Sequence, residues 1–313
     1  MDKTNTIELL RHSVNKMSEI MLEIYTAWKN NQTTPPTDCE CMAESMYQMM
    51  VCKAKNVLLM SEGITLLANS KISISDPSNI YPVVRSMYEM IFIFRCIYVS
   101  SKNDIERELL LKIWKIRGNN NLTKIPKSEL EKEYQDIQLD KKEENETLRK
   151  DIRRLMCEIS LSNSIKDCIE DCIKMETPSL KGFKFEHCEH CGSITSFCTL
   201  NFNDSSKELT QTSFGYSHFS AHSHPSYLGV EHFWKMYNLN AEDKYLKEVL
   251  THSFLFLGYF MTDFYKYKES YRPFYDQKEN QINNLINQII QDQQKNLWFI
   301  RQMHRSYRVE KGF

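Results

Sequence analysis

Eight glycines and eight prolines in 313 residues leave this chain few places to turn sharply or to break a helix. These two residues are the strongest local punctuators, and where they are scarce among abundant Leu, Ile, Met, Lys, Glu and Gln, long helices are expected. The periodicity agrees. Leu10, Val14, Met17, Met21, Ile24 and Trp28 alternate steps of four and three, which sets them on one apolar stripe of a first helix. Asn5 with Glu8 supplies a capped start for it, and the stretch 30–37, carrying Pro35 and Pro36, ends it. The spacing predicts further helices over 38–70 with Gly63 tolerated inside, over 79–101 with high apolar density, and over 104–116 ending at Gly118. The expected fold class is all-α, a multi-helix array or bundle with a Cys/His-containing loop insertion.

The pattern divides the chain into four segments. Residues 1–126 form the N-terminal helical part of the core, 127–176 a charged helical arm returning to it, 177–212 the Cys/His-containing insertion, and 213–313 the C-terminal helical part. Ser128 and Glu131 give the arm a capping-box start after Pro126, acids and bases alternate to Arg154, and apolar periodicity returns at Leu155, Ile159, Ile165 and Ile169. The insertion has no sustained period, which suits a long loop or a small hairpin acting as a lid or stapled by metal. Helices over 230–237, 242–265 and 276–303 complete the chain.

Forty basic residues against forty-one acidic ones give a net charge of -1, so attraction to nucleic acid or anionic membrane must come from a local patch. The first residues show no basic segment followed by an apolar core and a cleavage site, so the expected location is cytoplasmic. Apolar runs at 90–99, interrupted by Arg95, and at 254–261 are short of the about 20 residues that span a bilayer, so no transmembrane segment is expected. Ten cysteines in that setting are read as reduced thiols, some buried and some available to metal. Neither standard glycine-rich phosphate loop is present, which weighs against nucleotide kinases and dinucleotide-dependent oxidoreductases.

Chemistry concentrates in two stretches. Residues 214–226 hold three of the nine histidines in seven positions, with Tyr216, Ser220 and His224 four apart along one helical stripe and His218 and His222 on the other side. Pro225 places His224 at the helix end. In the third helix, Arg85 and Glu89 stand four apart inside an apolar run, either as a buried ion pair that locks packing or as a site whose spare guanidinium donors hold a phosphate. Histidine moves protons near neutral pH, hydroxyls donate to substrate oxygens, and arginine stabilises phosphoryl charge. Together these suit RNA cleavage without a catalytic cofactor. Ser220 lacks the Gly-x-Ser-x-Gly elbow of serine hydrolases, and His218 with His222 lacks the intervening Glu of the zinc protease helix, so those two histidines are expected to face solvent.

A metal enters as a structural ion only. Cys188 and Cys191 form one Cys-x-x-Cys knuckle, half a zinc site, which Cys168 and Cys172 can complete, with His187, His190 and Cys198 as other candidates.

Arg85 with Glu89, followed far downstream by Tyr216, Ser220, His224 and Pro225, resembles a bacterial all-helical family of unknown function with an Arg-x-x-x-Glu helix and a Tyr-x-x-x-Ser-x-x-x-His helix. The resemblance covers about 79–229. By weaker analogy, isolated Arg and His in a helical protein are similar to the HEPN superfamily, although there the two lie close together on one helix. The resemblance implies a defence or toxin-type protein that cleaves or binds RNA, with Arg85 on phosphate, His224 as acid and base, Tyr216 and Ser220 as polar orienters, and Glu89 positioning Arg85. The alternative is a non-enzymatic sensor or interaction module in which these residues are structural or bind a small anionic ligand. The aromatic-rich stretch 254–267 suggests a homodimer.

Overall fold

A computed structural model describes residues 3–65, 73–123, 131–174, 182–210, 215–223, 227–238 and 242–292. Helices take 81% of them, which makes the architecture all-α and leaves two short hairpins as the exceptions. Helix α1 (Lys3–Asn30) carries the apolar stripe inward, with Leu10, Val14, Met17, Met21, Ile24 and Trp28 each at most 2% exposed. It opens at Lys3, so Asn5 lies inside the helix instead of capping it.

Helix α2 (Asp38–Ser61) starts on a capping box: the Glu40 N–H donates to Thr37 Oγ1 at 3.3 Å and the Thr37 N–H donates to the Glu40 carboxylate at 2.8 Å. It stops short of the expected residue 70 because Gly63, at φ 81°, takes left-handed backbone that ends a helix. Strand β1 (Ile64–Thr65) then pairs antiparallel with β2 (Ser73–Ile74). Helix α3 (Pro77–Phe94) passes into a π-helical turn, Arg95–Val99.

Helix α4 (Asp104–Thr123) runs through Gly118, where termination was expected. One glycine costs about 1 kcal/mol in a helix interior, and the inward face of Leu109, Leu110, Ile113 and Ile116, all 0% exposed, outweighs it. The charged arm is helix α5 (Lys132–Glu158), with Leu148, Ile152, Leu155 and Met156 buried. Ser128, the expected cap, lies outside the described residues, and Glu131 precedes the helix without a side-chain capping bond. After α6 (Asn163–Lys174), the insertion is a hairpin of β3 (Gly182–His187) and β4 (Ile194–Leu200), with a register shift between Glu186 and His187.

The remaining elements are α7 (Ser206–Thr210), α8 (Gly215–His222), α9 (Tyr227–Asn238), α10 (Glu242–Tyr267), α11 (Arg272–Asp276) and α12 (Glu279–Asp292). The chain divides into two units, 1–92 with 203–313, and 93–202. This grouping cuts across the segments bounded at 126, 176 and 212: α4, the charged α5, α6 and the hairpin fall together.

In the first unit α1 packs on α2, α10 and α12. Its centre is a hydrogen-bonded aromatic cluster. Trp28 Nε1 donates to Ser270 Oγ at 3.0 Å, Tyr47 Oη lies 2.9 Å from Met21 O, and Tyr47 and Tyr271 share a 2.9 Å hydroxyl contact. Phe254, Phe256, Phe260 and Phe264 of α10 are 0% exposed. Much of the aromatic stretch that suggested a homodimer is therefore core of this unit, with Tyr259, Tyr265 and Tyr267 half-buried. In the second unit α4 packs on α5 and α6, and β3 packs on α4 and the π-helical turn. No helix among the described residues is long and apolar enough to cross a membrane.

Candidate functional site

Helix α8 is short and takes its position from α7. The Tyr216 N–H donates to Ser206 Oγ at 3.1 Å, satisfying one of the donors a helix start leaves open. The next contact is steric: a Cβ on Gly215 would stand 1.8 Å from Thr210 Oγ1, so only glycine fits there. Seated in this way, α8 lays Tyr216 against the Arg85 and Glu89 turn of α3.

Three of the five residues singled out from the sequence meet in a closed triangle. Arg85 Nε donates to Glu89 Oε1 at 2.8 Å, Arg85 Nη2 donates to Tyr216 Oη at 2.9 Å, and Tyr216 Oη donates to the same Glu89 oxygen at 2.9 Å. The guanidinium carbon also lies 5.2 Å from the Tyr216 ring centroid, a cation–π contact. Burial pulls the Arg85 pKa down, but Glu89 and Tyr216 more than restore it and leave it above the usual arginine value. Burial and then the Glu89 charge push the Tyr216 phenol up to about 12, so it is a hydrogen-bond donor at neutral pH. The Arg85 and Glu89 side chains stay 24% and 21% exposed, so the pair is not sealed.

Ser220 is half-buried one turn beyond Tyr216, and among the described residues no hydrogen bond joins it to the triangle. His224 lies outside the described residues.

The two histidines expected to face solvent do not. His222 is 2% exposed and His218 is half-buried, because α8 turns both toward Tyr81 of α3 and Glu248 of α10. Tyr81 Oη donates to Glu248 Oε2 at 3.0 Å. His218 Nε2 lies 2.8 Å from Glu248 Oε1, close enough for an ion pair but outside hydrogen-bond angles. The His218 and His222 ring centroids are 4.4 Å apart, and the Tyr81 ring lies tilted at 38° with its centroid 4.6 Å from that of His222.

His222 Nδ1 donates to His218 O at 2.8 Å and His252 Nδ1 donates to Glu248 O at 2.9 Å, which fixes the proton of each ring on Nδ1 in the neutral form. Burial lowers the pKa of both His222 and His252. Burial alone would raise Glu248, but His218, with His252 and Tyr81, outweighs it and holds the carboxyl at about 2. Sequence reasoning missed Tyr81, Glu248 and His252 as members of one cluster. The available signal was spacing: Tyr81 is four residues before Arg85, and Glu248 is four before His252.

The expected zinc ligands are spread out. Cys172 is buried on α6 beside Ile169 and Ile173, Cys168 is exposed on the same helix, and Cys188 and Cys191 occupy the β3/β4 turn. Among the described residues no group of three or more His, Cys, Asp or Glu side chains is placed to hold a metal ion, so the four cysteines do not converge. His187 is instead paired with Glu106 at 3.1 Å, with their side chains 8% and 4% exposed. The Ser193 hydroxyl and amide, with the Cys188 thiol, draw Cys191 down to about 7.

A cleft of about 640 Å³ between α1 and α12 lies apart from these groups, and its lysines are partnered, Lys16 with Glu19 and Lys278 with Glu23. Comparison of the chain with family models, curated proteins and solved structures found no match.

Proposed function

We propose that the α3/α8 corner binds a phosphate group and that the protein is a defence or toxin-type protein that binds or cleaves RNA without a metal. The observation that supports this is the state of Arg85. A guanidinium has five N–H donors. Glu89 and Tyr216 take one each, no other acceptor is in place among the described residues, and about a quarter of the side chain meets solvent. Glu89 and Tyr216 thereby fix the plane of the guanidinium while leaving donors for the paired oxygens of a phosphate.

In this reading Arg85 holds the phosphate and stabilises charge that develops on it. Tyr216, protonated at neutral pH, orients Arg85 and Glu89, and Ser220 supplies a further hydroxyl on the same helix. His224 acts as the acid and base that activates the ribose 2′-hydroxyl and protonates the leaving oxygen. The near-neutral net charge suits binding through this local donor set rather than a basic surface.

A second reading rests on the closure of the triangle. Tyr216 Oη accepts from Arg85 and donates to Glu89, which ties α8 to α3 as a brace would in a non-enzymatic sensor or interaction module. One experiment separates the two. Total RNA is incubated in EDTA with wild type, Arg85→Ala and His224→Ala, with circular dichroism on each. Cleavage by wild type alone, with all three folded, is the expected result, and Arg85→Ala should lose about 1.5 to 3 kcal/mol of RNA binding, the worth of hydrogen bonds to a charged group. Folded Arg85→Ala that binds RNA as wild type does overturns the phosphate role. An unfolded variant supports the brace.

A further inference from the structure

The β3/β4 turn carries the most chemically distinctive group outside the α3/α8 seam, and nothing in the proposed RNA chemistry uses it. The turn is closed at its base by two backbone bonds, Cys188 N–H to Ser193 O at 2.8 Å and Gly192 N–H to Cys188 O at 2.9 Å. Gly192 takes φ 73°, a left-handed conformation that lets the chain reverse within five residues. The consequence is that both cysteines of the Cys-x-x-Cys sit on one small, rigid loop.

Cys191 is exposed and Cys188 half-buried. Cys191 Sγ lies 3.0 Å from Ser193 Oγ, and Lys102 Nζ comes within 3.9 Å of the position a Cβ on Gly192 would take. A hydroxyl hydrogen-bonded to an exposed sulfur, with a second thiol on the same turn, is a setting in which a thiol can act as a nucleophile.

A tetrahedral zinc would need two more ligands, and no group of three or more metal-binding side chains forms among the described residues. Disulfide chemistry needs only the two sulfurs present.

We propose that Cys188 and Cys191 are a redox-active dithiol that passes reversibly to an intramolecular disulfide by exchange with small-molecule disulfides of the glutathione class. In the first step the exposed Cys191 sulfur, as thiolate, attacks one sulfur of the small disulfide. A protein-to-ligand S–S bond forms, the ligand S–S bond breaks, and one small thiolate leaves. In the second step Cys188 gives its proton to solvent and its sulfur attacks the Cys191 sulfur, expelling the second small thiolate. The balance is one protein disulfide and two small thiols from one protein dithiol and one small disulfide. Excess small thiol reverses both steps.

The loop is joined to the body of its unit by His187, the residue before Cys188, through the buried contact with Glu106. The dithiol therefore stands on a fixed base, and its oxidation adds a covalent link across a turn that hydrogen bonds already hold.

The test uses the full chain, reduced and then equilibrated with oxidised and reduced glutathione in graded ratio. Each cysteine is followed by differential alkylation and peptide mass spectrometry. The expected products are a Cys188 to Cys191 bridge in wild type and a stable glutathione adduct on Cys191 in Cys188→Ser. Cys191→Ser should give neither. Exposed Cys157, on α5, is the internal reference, and Cys191 is expected to react about tenfold faster than it does. Equal rates at Cys191 and Cys157 with no bridged peptide would overturn the proposal. Zinc that copurifies in fixed ratio and protects both thiols from alkylation would overturn it as well.

Discussion

At one end of the α3/α8 seam an arginine is the central group, and at the other a carboxylate is. Arg85 has five donors and two protein partners, Glu89 and Tyr216, and it reaches solvent. Glu248 has both oxygens engaged, one by Tyr81 and one facing His218, with two further histidines held neutral around it. The same residue types, a tyrosine and an ion pair, therefore give a group with donors to spare at one end and a carboxylate with a partner facing each oxygen at the other. The lesson concerns accounting of donors rather than burial alone: a polar cluster with spare capacity is a candidate site, and a saturated one is a brace.

The largest effect should come from breaking the saturated end. Glu248→Ala leaves the Tyr81 hydroxyl, on a residue 0% exposed, without its acceptor and removes the carboxylate 2.8 Å from His218 Nε2. A loss of about 3 kcal/mol is expected, read as a lower urea midpoint at unchanged slope. A change under about 1 kcal/mol would mean the carboxylate does not hold this end together.

Acid should act on the same end in two stages. His222 and His252 have folded pKa values below that of a free histidine, so the unfolded chain takes protons first and stability falls as pH drops below about 6.5. Glu248 has its folded pKa lowered from 4.5 to about 2, so its contribution is complete above the free carboxylate range and is lost as pH falls through about 2. Urea melts from pH 7 to 3 should show the first stage as a midpoint that falls once pH drops below about 6.5. Glu248→Ala should remove the second stage and leave the first. A stability that is flat between pH 7 and 5 would contradict neutral, buried histidines.

The smallest effect belongs to the unfinished end. Tyr216→Phe removes one hydroxyl that accepts from Arg85 and donates to Glu89, while the direct Arg85 to Glu89 bond remains. About 1 kcal/mol of stability should go, and thermal melts would register it as a shift of a few degrees. A loss as large as that of Glu248→Ala would erase the distinction between the two ends.

The sequence was most legible where one residue type dictates local backbone. Scarce glycine and proline predict the helices, and the α1 stripe from Leu10 to Trp28 is buried as its spacing requires. Arg85 with Glu89 was legible because four-residue spacing puts both on one face of a helix. That Tyr216 would join them rested on pattern, and the geometry brings it in. Glu248 was opaque for a physical reason: on a helix with lysines at 244 and 247 it reads as part of a solvated face. Only the approach of α8 makes it the centre of a cluster. His218 and His222 were misplaced by the same route, since a helix of eight residues between two others has no single solvent side. Gly63 and Gly118 show the limit of counting glycines: one ends a helix by its positive φ, and the other is carried through.

The fit of Gly215 against Thr210 has a consequence in the currency of mutation itself. Every missense change at a glycine codon introduces a Cβ, and at this position that atom would overlap the threonine side chain at 1.8 to 2.7 Å. Position 215 therefore has no conservative neighbour in the genetic code. The start of α8 is held by the absence of an atom, and only a compensating change in α7 could free it.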